Sequence, residues 1–335
     1  MGDWKLFAKF AERNKIITTM KKLTLLAAGL ALSLSLGIAS PAGAQRTKGG
    51  AVKLEGYKLI DAGEIKKAPV NESFQGMAIY GDYLVSLYNN GYAAIYRLGP
   101  DGTFSRTATF PLGSQTKYNH ANVANFGVER YAKGDALPLL YVSQTRTDPE
   151  KNYKDACYVE RILPEGKAEL VQTILLGDHD KYYGWAVQWA IDKKRKRLIG
   201  FGNTITNDNP KNNFRVMVFK LPKLKDGKTV VLQSSDILEN YLIQDYMPTF
   251  PHVQVGQGGV VAGDCLVMPT GVGSNTFPSM VYSWNLKHHR MESVLNMQTQ
   301  VPFEFEDCDF FKNKLYLQCN KTQDYGRMLI MSWEK

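Results

Sequence analysis

Five polar residues, Gln75, His120, Gln188, Gln257 and Glu306, each stand at the start of an apolar run. Amide, imidazole and carboxyl groups brought together from five such positions form a ring of hydrogen-bonding groups. A ring of that kind suits the hydroxyls of a sugar or another small polar ligand. It can equally satisfy neighbouring backbone groups and fix strand register. Asn119 and Asn122 lie beside His120, Trp185 precedes Gln188, and Asp307 and Asp309 follow Glu306. Trp185 offers an aromatic face to the apolar side of a sugar, and Asn122 offers an amide to its hydroxyls. The expected ligand-binding set is therefore Gln75, His120, Asn122, Trp185, Gln188, Gln257 and Glu306.

Catalysis asks more of these residues. Glycoside hydrolysis needs two carboxyl groups flanking the bond. Only the last run supplies any, in Glu306, Asp307 and Asp309. Alternation along a strand sends Glu306 and Asp307 to opposite faces. His120 with Glu306 remains as a pair for proton abstraction, as in a lyase. Non-catalytic binding is the leading reading, and a glycan-active hydrolase or lyase using His120 and Glu306 is the alternative. The sequence holds no Gly-x-Ser-x-Gly, no phosphate-binding loop, no His-Glu-x-x-His and no Cys-x-x-Cys. No metal site is read. Calcium is the one cofactor with a partial pattern, in Asp178-His-Asp180 and Asn207-Asp-Asn209, and turns account better for both.

The elements that position these residues repeat. Gln75-Gly76 followed by Gly81-Asp82-x-Leu84-Val85 recurs without a gap as Gln257-Gly258 followed by Gly263-Asp264-x-Leu266-Val267. Glu306 to Tyr316 keeps the register with a Lys312-Asn313 turn. Gln188 to Phe201 fits with one extra turn residue in the basic stretch Lys193–Arg197. His120 to Ser143 is the weakest copy, with a longer loop. Each copy reads as two strands joined by a turn of residues that tolerate positive φ. A third apolar run follows each: Ala94–Leu98, Tyr158–Leu163, Val216–Leu221, Val281–Leu286 and Met328–Trp333. Small sheets of this kind cannot bury both faces alone and must stack. The expected fold is all-β, a five-bladed β-propeller. The last copy lacks an outer strand, and Tyr57–Asp61 is expected to supply it from the N-terminal end, removing an open edge.

On these Gln-Gly-x(4)-Gly-Asp-x-Leu-Val copies, the chain from Tyr57 to Lys335 resembles an exported bacterial five-bladed β-propeller. The resemblance is architectural and matches no characterised family. Five-bladed glycosidases resemble one another in carrying carboxylates on several inner strands, a pattern this chain departs from.

Residues 20–44 read as a signal peptide: a basic start at Met20-Lys-Lys22, an apolar stretch from Leu23 to Ile38, and Ala42-Gly-Ala44 before the cut. Residues 1–19 read as an upstream extension that is not the native start, residues 45–56 as a flexible lead, and residues 57–335 as one domain. The location implied is periplasmic or extracellular, with no membrane span in the mature chain. The leader carries +4 of the formal +9 charge. The one cationic cluster, Lys193–Arg197, reads as a solvated turn, and with export a nucleic-acid partner is excluded. Rim loops such as Asp148–Asp155 would be the place for a protein partner. Cys308 and Cys319 fall on one hairpin, and a bridge between them is one pairing the four cysteines allow.

Overall fold

The computed structural model describes residues 50–66, 72–99, 103–206, 209, 211–251, 253, 255–321 and 325–333. The leader readings on residues 1–19 and 20–44 lie outside these, as do Asn207 and Asp208.

Turn chemistry sets the hairpins. Gly81 and Gly263 take positive φ at the first position of their two-residue turns, and Lys312 and Asn313 both do so in theirs. These mirror-image turns match the twist of the flanking strands. The first strand, β1 (Lys58–Lys66), precedes blade 1, which is β2 (Phe74–Tyr80), β3 (Tyr83–Tyr88), β4 (Tyr92–Leu98) and β5 (Phe104–Pro111). Blade 2 starts with β6 (Val123–Phe126) and β7 (Leu140–Ser143). A short ribbon, β8 (Thr147–Asp148) and β9 (Tyr153–Lys154), then leads to β10 (Cys157–Leu163) and β11 (Lys167–Leu176). After a helical turn, α1 (His179–Tyr182), blade 3 runs through β12 (Trp185–Asp192), β13 (Arg197–Asn203) and β14 (Phe214–Lys220). There the chain detours. β15 (Thr229–Leu232) pairs parallel with β11 at the edge of blade 2, and β16 (Ile237–Leu242) returns to complete blade 3. A second helical turn, α2 (Ile243–Tyr246), precedes blade 4: β17 (Val260–Ala262), β18 (Cys265–Thr270), β19 (Met280–Asn285) and β20 (Arg290–Asn296). Blade 5 is β21 (Glu304–Phe311), β22 (Lys314–Asn320) and β23 (Tyr325–Ser332), and β1 is its outer strand. The expected closure from the N-terminal side is present, with Lys58 opposite Ser332 and Lys66 opposite Tyr325.

The apolar core is five layers, one between each pair of neighbouring blades. Val85, Phe126 and Val142 meet between blades 1 and 2. Tyr141, Trp189 and Met217 meet between 2 and 3, and Ile199, Leu266 and Trp284 between 3 and 4. Val267, Leu317 and Leu329 meet between 4 and 5, and Met77, Tyr96 and Ile330 between 5 and 1. Five interfaces for five sheets is what a closed ring requires.

Two sequence readings take a different form. The lead is packed from Gly50 onward: Leu54 is fully buried, Val52 N–H donates to Cys265 Sγ at 3.3 Å, and Ser283 Oγ donates to Val52 O at 2.7 Å. All four cysteines are free and buried. A bulge at Glu306 sets Cys308 opposite Leu317 and Cys319 opposite Phe305, so the 308–319 bridge does not form.

Candidate functional site

The inner strands β2, β6, β12, β17 and β21 surround the axis with one edge each. An edge strand exposes backbone N–H groups that need partners. Here side chains supply them. Asp307 Oδ2 accepts from Met77 N–H at 2.9 Å and Ala124 N–H at 3.0 Å, and its Oδ1 accepts from Gly259 N–H at 3.0 Å and Cys308 N–H at 2.8 Å. Asp309 accepts from Ile79 N–H, Asn125 Oδ1 from Ile191 N–H, and Asp155 from Val187 N–H. One carboxylate touching four blades leaves no open channel at its level. Burial pushes the Asp307 carboxyl well above the usual range, against the backbone N–H groups that pull it down. Gly258 makes room for it, since a Cβ there would lie 2.1 Å from Asp307 Oδ1.

The polar ring read from the sequence is staggered. Gln75, Gln257 and Glu306 stand five residues before the last pair of their hairpins, at Tyr80, Ala262 and Phe311. Gln188 stands four before Asp192, level with Asp307. The blade 3 turn holds Lys193–Lys196, two residues more than the two-residue turns, and this moves Gln188 one step inward. His120 lies in the loop ahead of β6.

The polar groups form two sets. Gln188 Nε2 donates to Asn122 Oδ1, to Gly256 O at 3.1 Å and to Gln257 O at 2.9 Å, joining blades 2, 3 and 4. Gln257 Nε2 donates to Glu304 Oε1 at 3.0 Å. On the other side, Asn320 Nδ2 donates to Glu306 Oε1, and Gln318 Nε2 donates to Gln75 O at 2.7 Å. His120 belongs to neither set. Its Nδ1 lies 3.0 Å from Asn89 Oδ1, which can only accept, so Nδ1 carries the proton. Burial, with Arg146 nearby, presses the His120 pKa down to about 4.

The rim where the inner strands start is distorted. β2, β12 and β21 each bulge there, at Gln75-Gly76, Ala186-Val187 and Glu306. Bulges re-aim side chains. Ala121, Thr145 and Ala186 hold positive φ at 54°, 48° and 39°, which costs of order 1–3 kcal/mol each. Three amide ends at this rim, Gln75 Oε1, Gln144 Nε2 and Asn203 Oδ1, are buried without a protein partner. They belong to blades 1, 2 and 3. Trp185 pairs with Asn203 across the β12–β13 hairpin and is 48% exposed, a large aromatic facing water at the same rim. Trp185 and Gln75 are in the set read from the sequence. Gln144 and Asn203 carried no signal, because they end second strands rather than begin first ones.

Among the described residues no group of three or more His, Cys, Asp or Glu is placed to hold a metal ion. His179, in the partial calcium pattern, lies instead between Asp155, 2.8 Å from its Nε2, and Asp180, 3.0 Å from its Nδ1. No described helix is long and apolar enough to cross a membrane.

His120 gives a pH prediction. Its folded pKa of about 4 lies below the ordinary histidine value of 6.5. The unfolded chain therefore binds the extra proton between those values, and stability falls as pH drops through them, by about 3 kcal/mol in all. Denaturant unfolding measured from pH 7 to 4 should show this slope, and His120→Gln should flatten it. An unchanged slope in the variant would assign the loss to other groups.

No protein-family model matches the chain, and no curated protein matches it. Among solved structures, the tail fiber of Staphylococcus aureus phage P68 is similar over 84% of this chain at a TM-score of 0.52 and 12% identity. The similar region covers 54% of that fiber chain, so this chain spans about half its length. The computationally designed protein Ika8 is similar over 76% of this chain and 70% of its own, at a TM-score of 0.34 and 9% identity. At 12% identity the likeness to the tail fiber shows the fold alone.

Proposed function

We propose that this propeller is a non-catalytic binding module acting outside the cytoplasm, which seats a small polar ligand such as a sugar in the rim mouth of blades 1 to 3. The observation that carries the reading is the trio of unpartnered buried amide ends, Gln75, Gln144 and Asn203, at one rim, with the exposed Trp185 opposite Asn203. Buried amide groups without partners are uncommon in folded proteins and are satisfied by a ligand or water. Backbone strain and strand bulges gathered at the same rim support it, since such distortions persist where a site needs them. The plugged axis makes the site a shallow mouth rather than a deep pocket. A His120 pKa near 4 weighs against proton abstraction, because a general base works best with a pKa near the working pH. Export rests on the Met20–Ala44 pattern in the sequence.

The test is a thermal-shift screen of the purified protein against neutral mono- and oligosaccharides. A ligand at ~100-fold over its Kd adds about 2.7 kcal/mol to stability. Trp185→Ala should leave the melting temperature of the free protein unchanged. It should weaken binding by about 2 kcal/mol, roughly 30-fold in Kd, as expected for an aromatic anchor. A screen without hits, or a hit unaffected by Trp185→Ala, would count against the mouth. Turnover of a polysaccharide that is lost in His120→Ala would favour the lyase alternative.

A further inference from the structure

The basic turn Lys193–Arg197 does not stand alone in the fold. It closes β12 to β13 on the rim opposite the mouth. The turn between β19 and β20, Lys287-His288-His289 followed by Arg290, lies on that same rim in the next blade. Arg195 bridges the two blades. It pairs with Asp192 at 2.9 Å on its own blade and with Asp264 of the β17–β18 turn. Leu286 N–H donates to Asp264 O at 2.8 Å, which draws the blade 4 turn against the same point. Arg197 pairs with Glu239 at 2.9 Å, and His289 Nε2 lies 3.8 Å from that carboxylate.

Between the turns is a cleft of about 490 Å³. Its charged lining is Arg195, Arg197, Lys287, Asp192 and Glu239, and its apolar lining is Ile199, Val218 and Leu286. Lys194, Arg195, Lys196, Arg197, Lys287 and Arg290 share this region with four carboxylates, Asp192, Glu239, Asp264 and Glu292, while Lys193 acts on Asp309 of blade 5. The balance is positive. Lys194, Lys196 and Lys287 are exposed, and Tyr246, 51% exposed, packs its ring 4.4 Å from His289 at the cleft edge.

We propose that this cleft binds an anionic saccharide, a sugar unit bearing a carboxylate or sulfate, at a second site independent of the mouth. Arg197, partly exposed and paired with Glu239 through one nitrogen, offers its remaining N–H groups to the oxygens of either anion, and the exposed lysines attract it from a distance. Glu239, partly exposed, accepts hydrogen bonds from hydroxyls, and the exposed ring of Tyr246 at the cleft edge offers an aromatic face to the apolar side of the sugar. The volume lies within the range of small-ligand pockets.

The test is calorimetric titration of the purified protein with four probes at 50 mM salt: polygalacturonate, heparin, neutral dextran and duplex DNA. The expected result is binding of polygalacturonate or heparin, with none to dextran. The better of the two shows whether carboxylate or sulfate is the preferred anion. Arg197→Gln, and separately Lys194→Ser with Lys287→Ser, should each weaken that binding tenfold or more, and 0.5 M salt should weaken it further. The lysine pair is exposed, so its effect is read without loss of folding. Trp185→Ala should leave it unchanged, which separates this site from the mouth. No binding to either charged glycan overturns the proposal. So does DNA binding that matches glycan binding and is insensitive to Arg197→Gln, because the turns would then be an unselective cationic surface.

Discussion

Asp307→Asn is expected to lower the melting temperature by about 10 °C although it changes only one atom of the side chain. Asp307 accepts four backbone N–H groups, two on each oxygen. An amide offers one oxygen and turns its NH2 toward the other two donors. Two buried N–H groups then lack an acceptor, at about 1–3 kcal/mol each. A loss near 4 kcal/mol corresponds to about 10 °C for a domain of this size. Asp307→Ala should cost at least as much, because it also opens a cavity on the axis. Thermal and denaturant unfolding of both variants measure the effect. Equal stability of Asp307→Asn and the parent would mean that the group holds its proton in the folded state, in the direction burial pushes it, and that the axis is built on a neutral acid.

The second large effect concerns closure. Removing residues up to Lys66 takes away β1, the outer strand of blade 5, together with the Arg327–Asp61 and Lys321–Glu64 pairs and the buried Ile65. β23 would then present an open edge along its whole length, ready to pair with another chain. The backbone hydrogen bonds of the strand alone contribute about 1 kcal/mol each. The expected loss is about 5 kcal/mol or more, comparable with the entire stability of many domains. The truncated protein should aggregate or unfold at temperatures where the parent is monomeric by light scattering. Adding a synthetic peptide of residues 57–66 should restore the monomer if closure is what was lost. A truncated monomer with the parent's melting temperature would show that the ring does not depend on β1.

Much of this architecture was legible because hairpins are local. A turn such as Gly81-Asp82 and its flanking strands lie within the fifteen residues Phe74–Tyr88, and each further copy repeats the same pattern. The reason for the Gln-Gly pair was not legible. Gly258 is small because Asp307, from a different blade, fills the space beside it, and only the closed ring brings the two together. Gln188 was read one step out of register because its four-residue turn is two residues longer than the turns of blades 1, 4 and 5. The meeting of Lys193–Arg197 with Lys287–Arg290 escaped for the same reason as Gln144 and Asn203. Each depends on which turns share a rim, and residues about 90 positions apart in sequence carry no local sign of it. β15 was missed because its partner β11 lies in another blade, across a parallel pairing that no turn announces.

That detour has a consequence for how such a protein could be rearranged. β15 belongs to blade 2 by hydrogen bonding and to blade 3 by chain order. Blade 5 is likewise split, with β1 far from its other strands in sequence. Only blades 1 and 4 are continuous segments holding nothing of their neighbours. The heritable module is therefore not the blade everywhere in the ring. Excising or duplicating the segment that encodes blade 3 would strip or double the edge of blade 2, so a change in blade number could pass cleanly only through the segments of blades 1 and 4.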